Sequence, residues 1–265
     1  MEIPNDCPCV TVLIPARNSE DFIAESILSA VGQAHLAQVL VVINDSSDNT
    51  EGIVLHYAEE FPTVRYIKIP VAGIAGALNT GIALIETEFI ARLDADDVMV
   101  EGRLLKQVEF LKSHPKTAVV GSQLEYISAN GQSNGYSNYP TRVLTIKIYL
   151  SFGNPLAHPS VLMRASALPE IPYKPEFEGV EDLALWLELA KEHDLANLSD
   201  HLTKYRQHEN QVSNSPKLKY QEIQLRSSTK LFSKKNPGLQ VTELILNWLK
   251  ILWVRKRIAL YEKQS

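Results

Sequence analysis

Residues 88–97 read Glu88-Phe89-Ile90-Ala91-Arg92-Leu93-Asp94-Ala95-Asp96-Asp97, an apolar run that passes without a linker into an acidic cluster. Its length and composition are those of a buried strand. Asp94 and Asp96 flank one small residue just past that strand, so their carboxylates can converge on one point, with Asp97 beside them. Like charges that close repel. A divalent cation relieves the repulsion, and oxygen ligands select a hard ion, Mg²⁺ or Mn²⁺. The plainer alternative is a solvated acidic turn leading into the next helix. The position of the run in the chain shifts the balance toward the ion.

Upstream, Val10 to Ile14 is a β-branched run ended by Pro15, followed by Asn18 and Ser19 and then by Glu20 and Asp21 in an expected first helical turn. Phe22, Ile23, Ile27, Ala30 and Val31 recur at helical spacing, and Gly32 stands where a left-handed cap would end the helix. The pattern repeats: an apolar strand Val39 to Ile43, a polar loop Asn44 to Asn49, a helix near Thr50 to Glu60, a strand Val64 to Ile69, and a helix opened by Gly73 to Gly81. Glu88 to Leu93 is then the fourth strand. Strands alternating with helices predict an α/β fold, a mostly parallel sheet flanked by helices whose ligands sit beyond the carboxyl ends of the strands.

Downstream the repetition weakens. Arg103 to His114 reads as a helix, Thr117 to Val120 and Leu124 to Ile127 as strands with an Asn130-Gly131 turn, Arg142 to Ser151 as a helix, Val161 to Arg164 as a strand, and Glu181 to Lys191 as a helix. Two terminal helices follow Pro216 and Gly238, beyond a soft boundary near Ser213 to Lys217.

Composition narrows the function. With 45% hydrophobic residues over 265 positions, the chain can bury a large core without disulfide or metal staples. The 26 basic against 31 acidic residues give a net charge of −5, the wrong sign for a nucleic-acid partner. Cys7 and Cys9 are spaced for neither a redox motif nor a zinc ribbon. Met1 to Asp6 carries acids and a proline with no apolar run, which reads as no secretory signal and predicts cytoplasmic residence. No stretch approaches the roughly 20 apolar residues that span a bilayer, so any membrane contact is peripheral. The loop at Asn44 to Asn49 offers Asp45 and Asp48 to a base or ribose. The Gly73 to Gly81 segment matches neither the dinucleotide fingerprint nor the lysine-containing phosphate loop, which removes support for hydride chemistry and ATP hydrolysis.

These pieces, taken in order, resemble the family 2 inverting glycosyltransferases of the GT-A fold. The matching segments are Pro15-Ala16-Arg17-Asn18, Asn44-Asp45-Ser46-Ser47-Asp48, Ala77-Leu78-Asn79-Thr80-Gly81 and Ile90 to Asp97, then Gly153-Asn154-Pro155-Leu156-Ala157-His158-Pro159-Ser160, Glu181-Asp182 and Tyr205-Arg206-Gln207-His208. They span residues 10–213, and the likeness is greatest to bacterial members that build O-antigen and exopolysaccharide repeat units. The resemblance implies a GT-A domain over residues 1–213, with a nucleotide-sugar-binding half at 10–120 and an acceptor-binding half at 121–213, and a C-terminal helical extension at 214–265.

The resemblance also assigns roles. A nucleotide-diphosphate sugar, expected to be a UDP-sugar, would be bound by Pro15, Ala16, Arg17, Asn18, Asp45, Asn79, Arg92, Asp94 and Ala95. Mn²⁺ or Mg²⁺ would be held by Asp94, Asp96 and His208, where it bridges the donor phosphates. Asp182 would be the general base, with Glu181 a supporting carboxylate, and His158, Glu181 and Trp186 would face the acceptor, a glycan or a polyprenyl-diphosphate-linked glycan. Read from the residues alone, Glu181 and Asp182 serve equally as first-turn acids on a helix dipole, and His208 as a solvated loop residue. Rival functions are a sugar-nucleotide nucleotidyltransferase, for which Pro15-Ala16-Arg17-Asn18 lacks the glycine-rich basic character, and a non-catalytic nucleotide-sugar-binding subunit.

The sequence departs from the family pattern in several places. Ser46 stands where glycine is usual, Arg17 replaces a frequent tyrosine and Leu78 a frequent arginine, while Leu183, Ala184 and Glu188 stand where Tyr, Asp and Arg are common. Donor-sugar preference therefore does not transfer from relatives. From Val241 onward the chain is apolar nearly all round, with a basic end at Arg255, Lys256 and Arg257. Such a helix suits either docking on the anionic inner face of the cell membrane or burial against the catalytic domain or a second subunit, as in a homodimer.

Overall fold

The computed structural model describes residues 8–33, 36–70, 73–150 and 153–208. The expectations for Cys7, for the C-terminal extension and for its membrane or subunit contacts lie outside the described residues.

Four parallel strands form the first half of the sheet: β1 (Val10–Ala16), β2 (Ala37–Asn44), β3 (Val64–Ile69) and β4 (Phe89–Arg92), in spatial order β3-β2-β1-β4. Successive side chains alternate between faces, and each face buries its own helices. Val10, Val12, Ile14, Val39 and Val41 pack with α1 (Ile23–Val31), α2 (Thr50–Glu60) and α4 (Arg103–Ser113), while Leu13, Leu40, Val42 and Ile90 pack with α3 (Gly73–Ile82), α5 (Val143–Tyr149) and α6 (Glu181–Leu189). Because both faces of β1, β2 and β4 are covered, these three strands read as largely apolar runs, whereas the edge strand β3 keeps Arg65, Tyr66 and Lys68 exposed. Helix α3 lies so close to the sheet that a Cβ on Gly81 would meet Leu13 Cδ1 at 2.4 Å.

The chain runs outward from β1 to β3 and then returns to the other side of β1 with β4. Strand order thus reverses at the β1/β4 pair, which opens a crevice at their carboxyl ends. Beyond β4 the sheet continues through β8 (Leu162–Arg164), β6 (Thr117–Ser128), β9 (Asp194–Gln207) and β5 (Val98–Met99), with β7 (Ser133–Tyr136) paired to β6. The long ladders, β6 with β9 included, are parallel, and the short ones at β5, β7 and β8 are antiparallel.

Several expectations change. The strands expected at 117–120 and 124–127 are one strand, which bridges Gly121-Ser122-Gln123 through register shifts against β9, so a division into halves at residue 120 falls inside β6. Strand β9, fourteen residues long, was not expected at all. Helix α1 starts at Ile23, and Glu20 and Asp21 lie in the hydrogen-bonded turn that leads into it, where Phe22 N and Ile23 N both donate to Ser19 O (3.1 and 2.9 Å). Gly32 ends α1 in the right-handed region, φ −56°, so there is no left-handed cap.

Candidate active site

The crevice at the β1/β4 switch is a cleft of about 810 Å³. Its donor-side wall is the loop after β1, where Pro15, Ala16, Arg17 and Asn18 line it. Asn18 has φ +48° and Asp45 φ +50°, the left-handed region that Asn and Asp tolerate better than most residues. The two βα loops lock together. Asn18 Oδ1 accepts from Ser47 N (2.8 Å), Asn18 N donates to Ser46 Oγ (3.1 Å), and Glu20 N donates to Asp48 Oδ2 (3.0 Å). Thr50 N and Oγ1 also donate to Asp48 Oδ1. Burial raises the Asp48 carboxyl, but the Thr50 and Glu20 bonds outweigh it and hold it below the ordinary range. Asp48 is thus consumed in building the loop, and Asp45 is left exposed and outside the cleft lining.

The acidic loop after β4 is the floor. Carboxylate oxygens of Asp94, Asp96 and Asp97 all lie within 4.8 Å of one another. Ser26 Oγ on α1 donates to the backbone carbonyls of Asp94 (3.2 Å) and Asp97, and so ties the loop to the helix. Arg92, fully buried, pairs with Asp94. Burial lifts the Asp94 carboxyl; Arg92 opposes the lift and Asp96 adds to it, leaving it above the ordinary range. Asp97 is buried and raised well above that range by burial and by the Asp94 and Asp96 charges. Its Oδ1 accepts from Arg206 N (2.9 Å), while its Oδ2 has no hydrogen-bond partner among the described residues.

Strand β9 closes this floor. It delivers His208, whose Nε2 lies 2.9 Å from Asp96 Oδ2. Arg206 Nε donates to Asp96 O (2.8 Å), and the same guanidinium pairs with Glu25. Phe22 lies between the two, its ring 4.8 Å from the Arg206 guanidinium carbon and 5.2 Å from the His208 imidazole. A histidine expected in a polar loop thus stands on the acidic cluster.

The opposite wall comes from the start of α6 and the segment before β8. Asp182 Oδ2 accepts from Asn154 Nδ2 (2.6 Å) and Oδ1 from Leu183 N (2.6 Å). Burial raises its pKa, and those donors and Arg92 limit the rise. Glu181 accepts from Gly179 N and is pushed up to about 7 by burial and by the Asp182 charge. His158, 8% exposed, shares a hydrogen bond with Tyr173 Oη (2.8 Å). Burial, and secondly Arg92, hold its pKa well below the usual imidazole range, so the ring is neutral.

Residues expected on the donor side and on the acceptor side therefore meet: Arg17, Asn18, Arg92, Asp94, Ala95, Asp96, His208, His158, Glu181 and Asp182 all line one cleft. Three expected residues do not: Asp45, already placed outside the lining, Asn79 and Trp186. Asn79 spends its amide on the backbone of Tyr173, donating to its carbonyl (2.6 Å) and accepting from its N–H (3.0 Å), so it clamps a loop and is not among the lining residues. Trp186 is fully buried in the core beneath His158, ring centroids 5.9 Å apart and edge to face, and gives the acceptor side a support instead of a contact.

The geometry agrees with what comparison of the chain finds. The model for Glycosyl transferase family 2 matches residues 11–168. This chain belongs to that family. It is 30% identical to a glycosyltransferase of Haemophilus influenzae over 78% of this chain and 68% of that protein. It is 28% identical to the Escherichia coli UDP-Glc:alpha-D-GlcNAc-diphosphoundecaprenol beta-1,3-glucosyltransferase WfgD, over 81% of this chain and 82% of the relative. Its fold matches Staphylococcus aureus TarS residues 1–349, solved in complex with UDP, with a TM-score of 0.67 at 20% identity, over 89% of this chain and 69% of that one. The protein is a glycosyltransferase of GT-A architecture. No helix among its described residues is long and apolar enough to cross a membrane.

This glycosyltransferase also relies on residues to which the sequence reading assigned no role. Arg103, fully buried, donates to Pro159 O (2.9 Å), Thr203 Oγ1 (3.0 Å), Arg92 O (2.9 Å), Val161 O (3.2 Å) and Gln107 Oε1 (3.0 Å). It staples α4 to the acidic floor and to the His158 segment. Burial lowers its pKa to about 9, with Asp97 opposing and Arg92 adding, and it stays cationic. One signal was available: an arginine at the first position of a helix opposes the macrodipole and needs another reason to be there. Asn154 and Glu178 are further examples. Glu178 accepts from Ile74 N (2.7 Å) and Ala75 N (3.2 Å) and reaches them because Gly73, φ +64°, carries no Cβ.

Proposed function

We propose that this glycosyltransferase moves a sugar with inversion from a nucleotide-diphosphate donor, a UDP-sugar, to a hydroxyl of a glycan or polyprenyl-diphosphate-linked glycan in bacterial surface-polysaccharide assembly. The observation that carries the reading is that the acidic floor at Asp94, Asp96 and His208 and the paired acids Glu181 and Asp182 line one cleft. The UDP complex of TarS and the substrate in the WfgD name support the donor and acceptor classes.

A divalent cation fits the floor. Converging carboxylate oxygens with a neighbouring imidazole are the donor set of a hard or borderline ion, and the buried Asp97 Oδ2 is an acceptor still without a partner among the described residues. Asp94, Asp96 and His208 are the residues that would hold Mn²⁺ or Mg²⁺. When bound, the ion supplies positive charge where negative charge gathers on the departing diphosphate. Arg92 opposes the rise that burial imposes on the Asp94 carboxyl and holds it in place, and Phe22 with Arg206 keeps His208 over Asp96.

On the other wall, Asp182 takes the acceptor hydroxyl's proton as that oxygen attacks the anomeric carbon from the face opposite the diphosphate. Asn154 Nδ2 and Leu183 N each occupy one lone pair of the carboxylate, which fixes its plane and leaves a lone pair free on each oxygen. One displacement completes the transfer, so no second nucleophilic carboxylate is required.

The test is to incubate the protein and Mn²⁺ with a panel of UDP-sugars and with free or diphosphoundecaprenol-linked saccharides, then to determine the anomeric configuration of the product by NMR. Inverted configuration with UDP release is expected. Retained configuration overturns the mechanism, and formation of a sugar-1-phosphate with nucleotide exchange overturns the reaction class.

A further inference from the structure

Tyr139 lines two cavities. It belongs to the wall of the catalytic cleft, with Tyr126 and Tyr205, and also to a separate hollow of about 480 Å³ flanked by α5, residues 137–142 and β9. The hollow is a built feature. Gln123, 4% exposed, spends its whole amide on that wall: Nε2 donates to Tyr139 O (3.1 Å) and Leu198 O (3.2 Å), and Oε1 accepts from Tyr139 N (2.6 Å) and Ser137 Oγ (3.0 Å). Asn197 Nδ2, equally buried, donates to Pro140 O (2.8 Å). The extended segment carrying Tyr139 is therefore pinned before any ligand arrives.

The side chains that line this hollow are in the opposite condition. Asn138, Thr141, Arg142, Thr145 and Ser199 make no side-chain hydrogen bond or ion pair among the described residues. Among the described residues no acid lines the hollow, which disfavours a hard cation, and apart from Pro140 no aliphatic residue lines it, which disfavours an acyl chain. What remains is the aromatic residues Tyr139 and the 44%-exposed Tyr149, interleaved with open amide and hydroxyl groups, the Arg142 guanidinium and the His201 imidazole. That combination matches a pyranose, whose C–H face lies on an aromatic ring while its hydroxyls need donors and acceptors at the edge.

We propose that this hollow is a glycan subsite for the acceptor residue next to the sugar being glycosylated, so that the acceptor is an oligosaccharide instead of a single sugar. The inference rests on the proposed sugar transfer and adds to it the length of the acceptor. The glycan would cross Tyr139, whose position in both walls makes the two sites neighbours. Because the hollow is already shaped, little ordering cost opposes binding there, and the second sugar contributes to affinity.

The test uses methyl glycosides of mono-, di- and trisaccharides with matched terminal sugars as acceptors, with UDP-sugar and Mn²⁺ present. At least a tenfold rise in kcat/KM from mono- to disaccharide is expected, carried by KM. Ser199→Trp, which fills the hollow, and Arg142→Ala should each shrink that rise, with circular dichroism confirming the fold. In parallel, saturation-transfer NMR with UDP should show contact to the second sugar in the wild type and lose it in Ser199→Trp. Equal use of mono- and disaccharides, or a rise that survives Ser199→Trp, overturns the subsite while leaving the transferase reading intact. Competition by inorganic pyrophosphate that depends on Arg142 overturns it in favour of a carrier diphosphate. UDP binding with no transfer to any member of the panel overturns the transfer reading, and the subsite falls with it.

Discussion

The side-chain amide of Asn79 on α3 and the backbone of Tyr173 form a two-point bridge, one bond at 2.6 Å and its reciprocal at 3.0 Å. Tyr173 in turn holds His158 through its hydroxyl, and the segment that follows carries Glu178, Glu181 and Asp182. Helix α3 is thus tied to the segment that leads to the Glu181 and Asp182 carboxylates. Replacing Asn79 with Ala leaves the Tyr173 N–H and carbonyl without these partners and should cost about 2 kcal/mol of stability. Asn79→Asp should fail to restore it, because a carboxylate would face the Tyr173 carbonyl. Urea unfolding of both variants measures this.

Arg103 is a second such support. Arg103→Met removes the donor from three backbone carbonyls, at Arg92, Pro159 and Val161, and should destabilise by about 3 kcal/mol or more. Arg103→Lys should recover little, since one ammonium cannot span partners on both sides of a planar guanidinium. Chemical denaturation with an intact far-UV spectrum before the transition is the measurement.

The contrast between these supports and the cleft residues shows what a sequence can convey. Strands β1, β2 and β4 were legible because each is buried on both faces and flanked by turn residues, and the edge strand β3, with Arg65, Tyr66 and Lys68 exposed, from its place in the strand–helix alternation. Strand β9 was not: its burial alternates irregularly, its paired residues in β6 lie 76–79 positions earlier, and register shifts break the period. The same shifts hid the unity of β6, where Ser122 and Gln123 look like a turn but are buried and hydrogen-bonded. Asp94 and Asp96 stand at the end of a strand whose position suggests chemistry, whereas Asp182 was singled out only by the family resemblance. The uses of Asn79, Trp186 and Asp48 depend on which way a side chain turns once distant segments meet, and no spacing encodes that.

Loss of Asp182, the proposed base, should be severe and selective. Asp182→Asn should lower kcat by about 10²- to 10⁴-fold, with the affinity for UDP retained, since Asp182 stands on the acceptor wall. Asn154→Ala should have a smaller effect with a different signature. Removing that donor withdraws a bond that lowers the Asp182 pKa, so the acid limb of the kcat/KM profile should move to higher pH. Steady-state kinetics across pH separates the two.

Glu181, lifted to about 7, is protonated in the folded protein over a range where it is ionised in the unfolded chain. Its contribution to stability is therefore full below the ordinary value of 4.5 and is lost as pH rises through about 7. Activity runs the other way, since Asp182 accepts a proton only when ionised and a charged neighbour makes it a stronger base. The rate should rise through about pH 7, and Glu181→Gln, which copies the neutral form, should remove that upper step and flatten the loss of stability between the two values. The kcat/KM profile and pH-dependent unfolding of wild type and variant provide the check.

The central claim is that Asp94, Asp96 and His208 hold a cation that binds the donor's diphosphate. Calorimetric titration with UDP, in Mn²⁺ and again in excess chelator, tests it most directly. Affinity should drop at least tenfold when the metal is removed, and Asp96→Ala should bind as weakly in Mn²⁺ as the wild type does without it. UDP affinity that is the same in Mn²⁺, in chelator and in Asp96→Ala would contradict the account.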